Sequence, residues 1–267
     1  MVKLVWFIDR PEKDIEGFES WYQDEHVAIG MRQEHLTRFR ISRSFYPQPP
    51  FVARLTGSDQ PRAYRFSEGY WRSMDDIRRC YVSVHGRAAL ADGFINRTAP
   101  STPRPPSPVL AMEEEIFPVA RRLGFDLWTG RYGGELPCKL FGFVRLEEQA
   151  GAEFDRRYGA LAKGASEDPD LRGHVRAATL DEVVRPGRAM RWPPEGAEHF
   201  DRSVEYYFDD RSGLDRFCGS EWMGEALALL GEFAVAQTWD AARIQEVFYT
   251  ADGDQPLEDS WKAFYPS

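Results

Sequence analysis

Cysteine is scarce in this chain. Cys80, Cys138 and Cys218 are the only three in 267 residues, and they are too scattered to frame a zinc site or a disulfide scaffold. Basic residues are outnumbered 34 to 43 by acidic ones, and the resulting charge of −9 disfavours nucleic acid or an anionic membrane as the main partner. Phosphate binding requires a positive field. No apolar run approaches the roughly 18 residues of a membrane span. The opening "MVKLVWFIDRPEKD" meets charges too early for a signal peptide and reads as a first strand. The expectation is a soluble, reduced, cytoplasmic protein. There is no G-x-S-x-G elbow, and "GGELP" lacks the strand–turn–helix context of a dinucleotide site. No two histidines stand at i, i+4 or in an H-x-H pattern, so no protein-held metal site is expected.

Aromatics, by contrast, reach 14% within a hydrophobic content of 42%, enough for a substantial core. The chain also repeats itself with a period of about 136 residues. "LVWFIDRPE" lies over "LFGFVRLEE", pairing Phe7 with Phe143, and "IEGFESWY" lies over "GAEFDRRY", pairing Phe18 with Phe154 and Tyr22 with Tyr158. "SEGYW" lies over "VEYYF", pairing Glu68 with Glu205 and Tyr70 with Tyr207. "HGRAAL" over "WMGEAL" and "EEEIF" over "IQEVF" complete five colinear matches.

Each copy carries the order βαββαβ, the split βαβ of a ferredoxin-like sandwich. The first copy has strands at 2–9, 36–46, 63–72 and 110–117 and helices at 13–32 and 73–92. The second has strands at 139–146, near 171–182 and 200–208, and at 242–249, with helices at 150–165 and 211–230. The copies span 1–123 and 138–267, with a glycine-rich linker at 124–137 and a proline-rich surface loop at 99–108. In "VKLVWFID" both faces are apolar, so a sheet with helices on one side only needs a cover on the other. The simplest cover is the sheet of the other copy. The expected fold is therefore α+β: two tandem ferredoxin-like units packed sheet to sheet into a barrel within one chain.

"VKLVWFIDRPEKDIEGFESWYQDEH" (2–26) and "RSVEYYFDDRSGLDRFCGSEWMGEALALLGEF" (202–233) resemble the EthD-like branch of the dimeric α/β-barrel superfamily. Single-copy members of that branch assemble as homodimers. The resemblance implies that this chain makes the pseudo-dimer by itself, as a monomer or a loose homo-oligomer. It also implies small-molecule chemistry on hydrophobic compounds: decarboxylation, cyclisation, dehydration or cofactor-independent oxygenation.

The stretch "ESWYQDEHVAIG" (19–30) carries the sharpest candidate. Phe18, Tyr22, His26 and Ile29 fall on one helical stripe, which turns His26 inward beside the Tyr22 phenol. An inward imidazole is a packed core side chain, a metal or haem ligand, or an acid/base catalyst. His26 matches the histidine often found on helix one of EthD-like domains, and its counterpart in the second copy is Ala162. Glu68 shares a strand face with Tyr70, and Glu205 with Tyr207. A carboxylate on a covered central strand must be paired or protonated. His26, Tyr22 and Glu68 thus form the expected acid/base set, with the Tyr22 hydroxyl orienting the imidazole or binding a substrate oxygen. Phe7, Trp21, Phe39, Tyr46, Tyr70, His85, His174, Glu205 and Tyr207 are the expected lining of a pocket for a flat apolar molecule. The expected function is cofactor-free, lyase-type proton transfer on an aromatic or polyketide-like substrate. Its alternatives are a cofactor-free monooxygenase, a non-catalytic binding protein and, less favoured, a haem protein.

Overall fold

A computed structural model describes residues 2–8, 14–61, 63–89, 110–115, 138–172, 175–183 and 200–249. The linker at 124–137, the proline-rich loop at 99–108 and His174 lie outside these residues. The first half contains β1 (Val2–Ile8), α1 (Ile15–Trp21), a π-helical turn (Tyr22–His26), α2 (Val27–Met31), β2 (Arg38–Ser44), α3 (Pro50–Thr56), β3 (Arg65–Trp71), α4 (Met74–Val82) and β4 (Leu110–Glu115). The second contains β5 (Cys138–Leu146), α5 (Gly151–Glu167), α6 (Pro169–Arg172), β6 (Val175–Val183), β7 (Arg202–Phe208), α7 (Arg211–Cys218), α8 (Glu221–Phe233) and β8 (Ala234–Tyr249).

All strand pairs are antiparallel, and the eight strands close into one barrel in the order β1-β3-β2-β8-β5-β7-β6-β4. Each half contributes the ferredoxin-like order of its fourth, first, third and second strands. The sheets cover each other as expected, and they are also joined at both edges. At one seam β4 pairs with β6, Met112 opposite Val183. At the other, β8 runs for 16 residues, pairing with β5 up to Arg243 and with β2 from Ala242 onward. That length exceeds the eight residues expected for the last strand. Closing the ring satisfies edge N–H and C=O groups that would otherwise be exposed.

Two expected helices are interrupted. Ser83 ends α4 in extended backbone, and Gly219 and Ser220 separate α7 from α8, with the Ser220 side chain capping the new N-terminus through Met223 N. The second helix of each half starts at an equivalent cap: Ser73 accepts from Asp76 N, and Asp210 from Gly213 N. The helix α3 was not expected; Pro50 at its first turn suits that role.

Strand alternation gives the barrel two environments. Leu4, Ile8, Phe39, Ile41 and Trp71 pack outward against the first-half helices with Tyr22, Val27, Met31 and Ile77. Leu140, Val144, Val204, Tyr206 and Phe208 do the same in the second half with Phe154, Tyr158, Phe217, Trp222 and Met223. The lumen holds a cross-half apolar cluster that includes Val5, Phe66, Phe141, Phe143 and Ala242. Beside it lie the fully enclosed charges Lys3, Arg40, Glu68, Lys139, Asp181 and Glu205.

These charges are paired across the two halves. Lys3 Nζ lies 2.6 Å from Asp181 and 3.2 Å from Glu205, both on second-half strands. Lys139 Nζ returns the contact, 2.8 Å from Glu68 and 3.5 Å from Glu205. Arg40 donates two bonds to Glu68, at 2.6 and 2.7 Å, and reaches Glu205 at 3.5 Å. Burial alone would push the Glu68 and Glu205 carboxyls up. The cations around them outweigh it and hold both below the ordinary carboxylate range: Arg40 and Lys139 for Glu68, Lys139, Lys3 and Arg40 for Glu205.

Two outcomes follow from this geometry. Lys139→Ala leaves two enclosed carboxylates short of a cation and is expected to lower the unfolding free energy by about 3–5 kcal/mol; an unchanged urea midpoint would show that the cluster does not hold the halves together. Glu68 and Glu205 are more acidic folded than unfolded. Their contribution is therefore complete above the ordinary glutamate pKa of about 4.3 and is lost as pH falls through and below that value. Thermal unfolding followed from pH 7 to pH 3 measures this loss.

Candidate functional site

The first helical run starts at Asp14, whose side chain accepts from Gly17 N at 2.9 Å. It widens at Tyr22–His26, where Val27 N–H donates to Tyr22 O, five residues back instead of four. Such π-turns are frequent at functional sites. The turn gathers three rings: His26 lies 4.8 Å from Trp21 and 5.6 Å from Tyr22, centroid to centroid. Phe18 stacks on Tyr22 at 5.9 Å, and Trp6 and Phe39 approach from the sheet, 6.5 Å apart. Gly69 makes room below, since a Cβ there would meet the rings of Trp71 and Trp6.

Tyr22 is completely enclosed. Its hydroxyl is turned into the sheet and shares a hydrogen bond with Ser67 Oγ. Burial pushes its pKa up to about 12, against the opposing effects of Ser67 and the Arg65 guanidinium, so the phenol stays neutral at ordinary pH. His26 is half-buried beside it. The Trp21 Nε1–H is buried with no hydrogen-bond partner among the described residues.

The expected set of His26, Tyr22 and Glu68 is not brought together. Ser67 faces the helices and Tyr22, so its neighbour Glu68 faces the lumen, on the other side of β3. There Glu68 is held by Arg40 and Lys139. The candidate lining divides in the same way. Trp21 and Phe39 stand on the helix side with His26. Tyr70, Glu205 and Tyr207 belong to the lumen: Arg40 donates to the Tyr70 hydroxyl, and the Tyr207 hydroxyl donates to Glu205. Phe7 sits in β1 opposite Phe66. Tyr46 is exposed, and His85 lies on the surface with Nδ1 2.9 Å from Glu34. Alternation on one strand explains the split: helical spacing orders residues within a helix, but not which sheet face it meets.

One element went unnoticed in the sequence. Arg65 holds the Glu19 carboxylate of α1 with Nε at 2.9 Å and with Nη2, reaches Gln245 of β8 with Nη1, and covers the Tyr22 ring at 4.7 Å. In the second half Arg202 grips Asp155 of α5 with two bonds of 2.8 Å. Glu19 over Asp155 falls inside a repeat match, and Arg65 over Arg202 lies two residues before another, so charge pairing across the two copies was the signal available.

The two helix-side layers differ in closure. In the second half the Tyr158 and Tyr206 hydroxyls bond each other, and Trp222 Nε1 donates to Leu161 O at 3.0 Å. Ala162, the residue matched to His26 in sequence, is sealed in that core. Among the described residues no group of three His, Cys, Asp or Glu side chains could hold a metal, and no helix is long and apolar enough to cross a membrane.

The architecture is that of a dimeric α/β barrel formed within one chain. No family model and no curated protein matches the sequence. Solved structures do match. An anthrone oxidase-like protein aligns over 94% of this chain and 93% of its own, with 12% identity and a TM-score of 0.57. A candidate monooxygenase of Fusobacterium nucleatum aligns over 93% and 94%, with 7% identity and a TM-score of 0.58. A candidate chlorite dismutase aligns over 92% and 94%, with 13% identity and a TM-score of 0.55. At such identities the likeness is one of fold.

The two clamps differ in exposure, which sets an expectation. Arg65→Ala strands a largely enclosed partner and should cost about 3–5 kcal/mol in urea unfolding. Arg202→Ala should cost clearly less, because Asp155 is 35% exposed and water can solvate it. Equal losses would refute the ranking.

Proposed function

We propose that the chain is an enzyme of the EthD-like kind that binds a flat, hydrophobic, aromatic or polyketide-like molecule on the helix side of its first half. It moves a proton there through His26, in a lyase-type reaction without a cofactor. The observation that carries this reading is the asymmetry between the halves. At the position matched in sequence the second half has a methyl group in a core whose hydroxyls and indole are satisfied internally. The first has a half-buried imidazole beside an indole N–H with no partner among the described residues. An unsatisfied buried donor costs about 1–3 kcal/mol, and a substrate oxygen would relieve that cost. Imidazole is the side chain suited to accept and return a proton near neutral pH. The neutral Tyr22 phenol supports the site from the sheet and does not act as a base. Glu68 has no part in proton transfer, because it faces the lumen and is held ionised.

The names of two structural neighbours, anthrone oxidase-like and monooxygenase, favour a second reading at the same site. In it His26 deprotonates a phenolic or enolisable substrate, and the resulting carbanion reduces oxygen directly. The closed barrel supports a monomeric pseudo-dimer with units at 1–123 and 138–267, and light scattering at one chain per particle checks it.

Turnover of anthrone, followed in air and under argon, separates the two readings by oxygen consumption. In either case His26→Ala should lower the rate by about 10²–10⁴-fold, the range for losing a general acid or base. Ala162→His should add nothing. Full activity in His26→Ala would reduce the imidazole to core packing.

A further inference from the structure

We propose that the single-residue widening of the first helix makes Trp21 the positioning residue of His26. The inference rests on the reading of His26 as the proton-transfer group, and it adds what sets that group's orientation and basicity. In an unbroken α-helix, at 3.6 residues per turn, residues i and i+5 stand about 140° apart around the axis and their side chains do not meet. Trp21 and His26 are five apart, yet their ring centroids are 4.8 Å apart with planes tilted by 37°. The bond from Val27 N–H to Tyr22 O spans five residues and supplies the rotation that brings the indole onto the imidazole. Tyr22, four residues before His26, would share its face in either geometry. It is engaged elsewhere, with its hydroxyl on Ser67 and its ring under Arg65.

The extra residue is accommodated at the surface. Gln23, Asp24 and Glu25 are all exposed, and Ser20 Oγ donates to Asp24 at 2.9 Å on the outer side of the turn. The inner side keeps Tyr22 and Val27 buried. The corresponding helix of the second half, α5, runs as regular α-helix from Gly151 to Glu167, and Ala162 is the residue matched to His26 in sequence. The widened turn and the imidazole therefore occur together in one half and are both missing from the other.

An aromatic face attracts a cation, and Trp does so best. The indole thus stabilises the imidazolium over the imidazole and makes neutral His26 the stronger base. Glu25 and Asp24 on the same turn and the neutral Tyr22 phenol are titratable groups in sequence or ring contact with it. The glutamate and the aspartate are both exposed.

The test needs no substrate. A protonated imidazole against an indole quenches its fluorescence, so the intact protein should lose emission on acidification through the pH range of about 5–8 in which imidazoles titrate. This step should vanish in His26→Gln and in Trp21→Phe. The midpoint, read on the His26 ring protons by NMR, should move to lower pH in Trp21→Leu and return in Trp21→Phe. A nuclear Overhauser contact between the Trp21 and His26 rings in the wild type decides the geometry. A step that persists in Trp21→Phe, an unmoved midpoint in Trp21→Leu, or a missing ring contact overturns the proposal. Activity lost in His26→Ala with no optical step would refute this inference and leave the proposed function standing. The reverse result would refute the proposed function alone.

Discussion

Strands β3, β5 and β7 are covered on both faces, and that constraint governs the rest of the structure. Outward faces meet helices, as in any ferredoxin-like unit. Inward faces meet the opposite sheet, and this closed lumen contains charge. Lys3, Arg40 and Lys139 are set against Glu68, Asp181 and Glu205, with no access to water. Such a group is tolerable only if each charge finds its partner, because an uncompensated ion in the interior costs several kcal/mol. Most of those partners lie on strands from the other half. The lumen thereby specifies how the halves register: a one-residue slip of β1 or β5 would turn Lys3 or Lys139 out toward the helices and leave the carboxylates unpaired.

The same division into faces separates support from chemistry. Residues that repeat in both halves, Lys3 with Lys139, Glu68 with Glu205 and Tyr70 with Tyr207, are lumen residues, and their repetition follows from a pseudo-symmetric barrel that needs both. The Arg65–Glu19 and Arg202–Asp155 clamps repeat for a related reason, since each ties a first helix to its own sheet. What does not repeat is found on the helix side. His26 and the widened turn belong to the first half alone, while the second half fills the same layer with Tyr158, Tyr206, Phe217 and Trp222. The first-half clamp also reaches Gln245 of β8, so the strand that closes the barrel touches the residue under Tyr22. The half that keeps the imidazole is therefore also the half whose helix is keyed to the other.

Much of this was legible in the chain as written. The 136-residue period, the two βαββαβ orders and the two-faced apolar character of "VKLVWFID" are statements about local pattern and burial demand. The element order and the covered sheets of the structure agree with them. Glu68 shows where that reasoning stopped. Its pairing need was readable from a carboxylate on a central strand, but Arg40 and Lys139 are 28 and 71 residues away and meet it only through strand pairing and barrel closure.

His26 shows the same boundary within a single helix. Spacing of four identified Tyr22 as its neighbour, and the two rings are indeed close. It could not indicate Trp21, because that contact depends on a backbone bond that skips one residue more than a regular helix allows. Nor could it show that Glu68 lies beyond the sheet, since facing is fixed by which side of β3 the helix packs against. The sequence by itself determined the repeat, the periodicities and the need for every buried charge to be matched, because these are local or compositional. The tertiary structure alone decided which charges match, how the edges join and which ring lies on the imidazole, because each depends on chain segments that meet only when the barrel closes or the helix departs from its regular winding.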